Sequence, residues 1–295
     1  MLIQSELLKM DNISTIILAI SLIIIMLGMG LSLVVDDFKR IFIYPKAILI
    51  GLINQILILP ILGFALASIF PIQPEIAIGI MILSACPGGP TSNLISHLAK
   101  GDIALSVTLT ALSSFVTILT IPFIINFALL HFLQQEQIIR LDVVSTIIQI
   151  LVITIIPVSI GMLIRRYNES FAVKMAKPVR VASGLVIVLV ILGITFKEKD
   201  NFASYFREAG LVALCLNIVT MAVGYYSAKL FKINNKRAIS IAIESGVQNG
   251  TLAITIAVIL LNNTSFAVAP AVYSLLMFFT GGIAVYFGIK KSKIS

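Results

Sequence analysis

Nine apolar segments dominate this chain, and they restrict its fold more than any other feature. They run over residues 13–34, 46–69, 75–97, 101–131, 142–164, 177–197, 208–231, 236–262 and 266–290. A helix needs about 20 mostly apolar residues to cross the hydrocarbon core of a bilayer. Only helices and closed barrels satisfy their backbone hydrogen bonds within lipid. The pattern therefore predicts an all-α polytopic membrane protein with nine transmembrane helices. Composition agrees: 12% of the 295 residues are charged, against about 25% in a soluble domain. The connections leave no room for a soluble domain. The first segment has no basic run before it and no small-residue cleavage site after it, so it reads as a spanning helix rather than a signal peptide.

An odd number of crossings puts the termini on opposite sides. Counted along the alternation, sixteen of the 21 Lys and Arg residues fall on one side and five on the other. Cytoplasmic loops carry the excess of basic residues. The C-terminus is thus expected in the cytoplasm and the N-terminus outside, in an integral protein of the plasma (inner) membrane. The same asymmetry accounts for the net charge of +8, so no nucleic-acid partner is implied. Cys86 and Cys215 both sit in apolar segments, which argues against a disulfide framework. No nucleotide-binding loop, zinc spacing or nucleophile–base pair is present, and the chain is not expected to be an enzyme.

The acidic residues fall in the tail, in loops or at segment ends, with one exception. Glu244 lies well inside the eighth segment. A charged group at the bilayer centre costs at least about 2.5 kcal/mol and is tolerated where it faces a cavity and has a partner. No Lys or Arg stands at that depth. The partner is therefore a proton or a bound metal ion.

Two segments are interrupted. Cys86-Pro-Gly-Gly-Pro-Thr-Ser-Asn93 places two prolines and two glycines within five residues, which no regular helix continues through. Around Glu244, Gly246 and Gly250 flank Val247, Gln248 and Asn249. Broken backbone at membrane depth survives only where protein or a cavity satisfies it. Each break lies in the second-last segment of its half, and the two halves enter the membrane in opposite orientation. That is the sequence pointer to an inverted-repeat secondary transporter. With four segments before and five after the midpoint, the repeat lacks its first helix. Sodium suits such a site, because unwound carbonyls and half-helix ends coordinate it. Ser92 and Asn93 offer oxygens at the first break. Ser106 and Thr110, four residues apart, share one helix face. Gln55 is a rare polar residue deep in the second segment.

The string PGGPTSNLISHLAKGDIALSVTLT (87–110), together with ESGVQN (244–249), MLGMGLSL near the start and Gln55 five residues before Pro60, resembles the bile acid:sodium symporter family over essentially the whole chain. The resemblance implies a core domain over 46–131 and 208–290, with two crossing discontinuous helices at 75–97 and 236–262. It implies a panel domain from 13–34 and 142–197. It also implies two Na⁺ sites. One is formed by Ser92, Asn93, Ser106, Thr110 and Glu244. The other is formed by Gln55, Glu244, Gln248 and the backbone carbonyls of Ser245 and Val247. Thr91, Asn249 and the Met277-Phe278 pair of the last helix fall at substrate-side positions. The function implied is import of a bile acid or related carboxylate with Na⁺ by alternating access. A proton-coupled organic-anion transporter using Glu244, and a membrane ligand sensor that does not transport, stay open as alternatives.

Overall fold

The computed structural model describes residues 2–133, 140–197 and 202–292. Glu136, Glu198, Lys199, Asp200 and Lys293, which enter the charge pattern above, lie outside these ranges. Thirteen α-helices follow in order: α1 (Leu2–Ser32), α2 (Val35–Lys39), α3 (Pro45–Ile53), α4 (Leu59–Ile69), α5 (Pro74–Ala85), α6 (Pro90–Leu98), α7 (Ile103–Phe132), α8 (Val143–Tyr167), α9 (Glu169–Lys197), α10 (Phe202–Leu230), α11 (Asn235–Gly246), α12 (Gly250–Thr255) and α13 (Val268–Ser292). A π turn, Asn54–Ile58, joins α3 to α4, and another, Ile256–Leu260, prolongs α12.

Each of the nine apolar segments falls on one helix or on an interrupted pair. Among the described residues, five helical stretches are long and apolar enough to cross a membrane: Pro45–Ile69, Ile103–Phe132, Val143–Tyr167, Ala203–Leu230 and Ser265–Lys290. A sixth is added if Ile16–Ser32 and Val35–Phe42, bent by 75°, count as one. The two interrupted segments fall short for a physical reason. Their pieces Pro74–Ala85 and Gly250–Leu260 are each too short to span about 30 Å at 1.5 Å per residue.

Local sequence sets the helix starts. Pro74 and Pro90 open α5 and α6, where a missing N–H loses nothing. Asp102, Asp142, Asn234 and Asn249 cap α7, α8, α11 and α12, each accepting a backbone N–H from three residues on; such caps are worth about 1 kcal/mol each. Pro60 has no N–H to donate, and the π turn just before it absorbs the disturbance.

One feature departs from the sequence reading. Residues 165–176 were expected as a connection, but α8 runs to Tyr167 and α9 restarts at Glu169 with only Asn168 between. Helical propensity continues there because the basic residues can extend beyond the apolar layer. Asp37, at a segment end as expected, is buried there. Its carboxylate accepts the Val34 N–H at 2.9 Å, and Thr108 donates to its carbonyl at 2.8 Å.

Helix α1 packs on α8 and α9, while α10 packs on α11 and α13, and α5 on α4 and α7. At the α1–α8 contact the backbones nearly touch: a Cβ on Gly161 would meet the Leu27 carbonyl oxygen at 2.4 Å and Gly30 Cα at 2.8 Å. Small residues allow this closeness in lipid, and MLGMGLSL serves packing at its second glycine. Exposed Ile16, Ile17, Ile20, Val144, Ile148 and Leu151 give this pair of helices an apolar outer face suited to lipid.

Candidate functional site

The two breaks meet. Gly88 and Gln248 form an isolated antiparallel bridge. Its bonds run from Gly89 N–H to the Val247 carbonyl (3.0 Å) and from Asn249 N–H to the Pro87 carbonyl (2.9 Å). The orphan backbone groups of one interruption are thus satisfied by the other, as lipid requires. This approach demands glycine. A Cβ at Gly88 would meet Glu244 Oε2 at 2.6 Å, and one at Gly89 would meet the Gln248 carbonyl oxygen at 2.8 Å.

On one side of the crossing lies the Glu244 carboxylate, only 3% exposed. Its Oε1 accepts from Ser92 Oγ at 2.5 Å and from Ser106 Oγ; its Oε2 accepts from Thr110 Oγ1 at 2.9 Å. Asn93 Oδ1 lies 2.9 Å from Ser106 Oγ and 3.4 Å from Thr110 Oγ1. The Gly89 carbonyl is 2.7 Å from Ser92 Oγ, and the Ser106 carbonyl is 3.0 Å from Thr110 Oγ1. Each hydroxyl has a single hydrogen. The three hydrogens of Ser92, Ser106 and Thr110 thus face six acceptors: both Glu244 oxygens, Asn93 Oδ1, Ser96 Oγ and two carbonyls. The cluster is rich in lone pairs and poor in protons. Among the described residues no ion pair involves Glu244.

Across the crossing, Gln55 Nε2 donates to Gln248 Oε1 (2.5 Å) and to the Cys86 carbonyl (3.2 Å). Gln248 Nε2 donates to the Ser245 carbonyl (2.9 Å) and reaches the Glu244 carbonyl at 3.4 Å. Gln55 Oε1 is buried and has no hydrogen-bond partner among the described residues. Glu244 therefore borders both groups, one with its carboxylate and the other with its backbone. The Val247 carbonyl is engaged in the bridge. Among the described residues no three His, Cys, Asp or Glu side chains gather as a metal site. Hydroxyl, amide and carbonyl oxygens suit a hard cation rather than a soft transition metal.

A narrow crevice, with room for about one water molecule, lies between α1 and α8 on one wall and α7 and the crossing on the other. Asn249 and Pro87 sit at its floor, with Met26, Thr154, Ser114 and Phe115 around them. Of the four substrate-side positions, Asn249 alone lines it. Thr91 is half-buried on α6, and Met277 and Phe278 ride on α13, whose helical neighbours are α10, α5, α12, α6 and α11. Ser114 and Thr154 were missed in the sequence because lone hydroxyls in apolar helices ordinarily bond their own backbone; here they donate to Thr110 and Ile150 carbonyls.

The chain resembles known proteins over most of its length. The family model described as the sodium bile acid symporter family matches residues 19–205. The uncharacterized sodium-dependent transporter YocS of Bacillus subtilis is 31% identical over 274 residues, covering 92% of this chain and 82% of that protein. The ileal sodium/bile acid cotransporter of Homo sapiens is 28% identical, over 81% of this chain and 68% of its own length. The probable sodium/metabolite cotransporter BASS1 of Arabidopsis thaliana is 28% identical over 86% of this chain, which spans 62% of that protein's length. With most of its length matched and its apolar helices gathered on two crossed interruptions, the chain belongs to the sodium bile acid symporter family of sodium-dependent membrane transporters.

Proposed function

We propose that this protein is a sodium-coupled symporter that imports an organic anion by alternating access. The observation that carries the proposal is the surplus of oxygen lone pairs around Glu244. A buried carboxylate ringed by hydroxyl and amide oxygens, with no Lys or Arg paired to it, is a site for a small hard cation. Sodium at Ser92, Asn93, Ser106, Thr110 and Glu244 would neutralise the carboxylate. A second sodium would use Gln55, Gln248 and carbonyls of the 244–247 turn. In this reading α1, α8 and α9 form the panel, and the remaining long helices with the two crossed breaks form the core. The anion, a carboxylate with an apolar body such as a bile acid, binds in the crevice between them, near Asn249. The crevice has to widen to admit it, and a relative movement of panel and core would supply that. The N-terminus lies outside and the C-terminus in the cytoplasm of the plasma membrane. Two sodium ions with one monoanion carry net positive charge inward, which the membrane potential favours by about 2.3 kcal/mol per charge per 100 mV.

The test has two stages. A thermal-shift screen of organic anions with and without Na⁺ finds a substrate, since a ligand that binds the native state stabilises it by mass action. Uptake of that anion into proteoliposomes is then expected to require an inward Na⁺ gradient. Glu244→Gln is expected to abolish uptake, and Ser106→Ala to raise the Na⁺ requirement about tenfold, the loss of a hard-cation ligand costing roughly a charge-assisted hydrogen bond. Equal uptake on a proton gradient in Na⁺-free buffer would overturn the reading.

A further inference from the structure

Gly246 ends α11 and is the freest residue at the start of the second break, since glycine lacks the side chain that restricts rotation. A Cβ there would crowd the Met221 side chain of α10, meeting its Cγ at 2.1 Å. Its carbonyl has lost the helical donor that a continuing turn would supply. Two side chains from other helices replace that donor. Asn217 Nδ2 of α10 donates to it at 2.7 Å, and Tyr273 Oη of α13 donates to it at 2.8 Å. Both residues are fully buried. Among the described residues Asn217 Oδ1 has no hydrogen-bond partner, while the amide also borders the Tyr273 hydroxyl. The N–H of the same peptide unit, on Val247, donates to the Ile243 carbonyl at 2.8 Å. The 246–247 peptide plane is therefore held from both edges. On either side of it lie the Ser245 carbonyl, bonded by Gln248 Nε2, and the Val247 carbonyl, bonded by Gly89.

We propose that Asn217 and Tyr273 are positioning residues for the second oxygen cluster. They fix the plane of the glycine peptide in the break, so that the Ser245 carbonyl holds Gln248 and Gln248 stays directed at Gln55. The inference rests on the sodium reading above. Neither residue touches the ion; both act through the backbone of the turn that does.

The test follows the melting temperature of the purified full-length protein against NaCl, with choline chloride holding ionic strength constant. Wild type is compared with Tyr273→Phe, which keeps the ring and removes one donor, and with Asn217→Leu. Each variant is expected to move the onset of sodium stabilisation to about fivefold higher concentration, the worth of one hydrogen bond. A purely structural role would lower the whole curve and leave its onset in place. Should Asn217→Leu fail to fold, Tyr273→Phe carries the test alone. If wild type shows no rise specific to sodium, the sodium reading itself fails. If wild type rises and the folded variants keep its onset, the positioning role is refuted while the sodium reading stands.

Discussion

Residues 86–89 and 247–249 leave their helices at the same place and bridge to each other, yet they are stiffened by different means. The first interruption is rigid by covalent structure. Pro87 and Pro90 fix φ at two of its positions, and Gly88 and Gly89 let the partner backbone approach. The second contains no proline. Its rigidity comes from side chains: Asn217 and Tyr273 brace it from outside, and Asn249 within it caps Leu252 N–H at 3.1 Å. A break stiffened by its own rings is vulnerable to added bulk. A break stiffened by neighbours is vulnerable to lost donors. The difference also separates duties. The first break delivers Ser92 and Asn93 from a preset helix start, whereas the second has to present both a side chain and backbone carbonyls, which glycine alone would leave loose.

The largest effect that could break this contrast comes from bulk at the first interruption. In Gly89→Ala the new Cβ meets a backbone oxygen at 2.8 Å with the carbonyl carbon behind it at 3.2 Å, and neither can rotate away. A destabilisation of about 1–3 kcal/mol is expected from such overpacking, with uptake reduced at least tenfold as the bridge opens. Wild-type melting temperature and uptake in Gly89→Ala would show that the bridge is not tight. A smaller loss is expected at the second interruption. Gly250→Ala meets Ser274 Oγ at 1.8 Å, but that atom is a side-chain tip that donates to the Pro270 carbonyl at 2.7 Å. It can turn aside at the cost of its hydrogen bond, about 1 kcal/mol. The double change Gly250→Ala with Ser274→Ala is expected to recover most of the melting temperature. Failure to recover would mean the second break is as tightly packed on backbone as the first.

Much of this arrangement is legible in the sequence because lipid makes every misplaced oxygen conspicuous. Ser92, Asn93, Gln55, Glu244 and Gln248 stand out from apolar surroundings, and the structure gathers them at one crossing. Asn217 is as buried as any of them, but a single amide amid apolar helix gives no spacing to interpret, and Tyr273 looks like ordinary aromatic packing. Their shared target is a backbone carbonyl, which has no signature in sequence. The course of α9 from Glu169 and the burial of Asp37 were equally hidden, since each depends on tertiary contact rather than local pattern.

The smallest effect is expected from Pro90→Ala, and it tests whether proline rings are what distinguishes the two breaks. Pro90 occupies the first turn of α6, after Gly89 in an extended conformation (φ −90°, ψ 155°). No intrahelical hydrogen bond depends on its nitrogen, so alanine can adopt the same backbone without a clash. The ring's contribution is then mainly to restrict the unfolded chain, worth about 0.4–1 kcal/mol. Melting temperature should fall slightly and uptake should stay within about twofold, because Pro87, the bridge and the glycine contacts still hold the turn. A variant that melts like wild type yet loses sodium-dependent uptake would place the importance of this ring in the moving protein. The first break would then be a hinge guarded by proline, and the division between a covalently stiff interruption and one braced from outside would have to be redrawn.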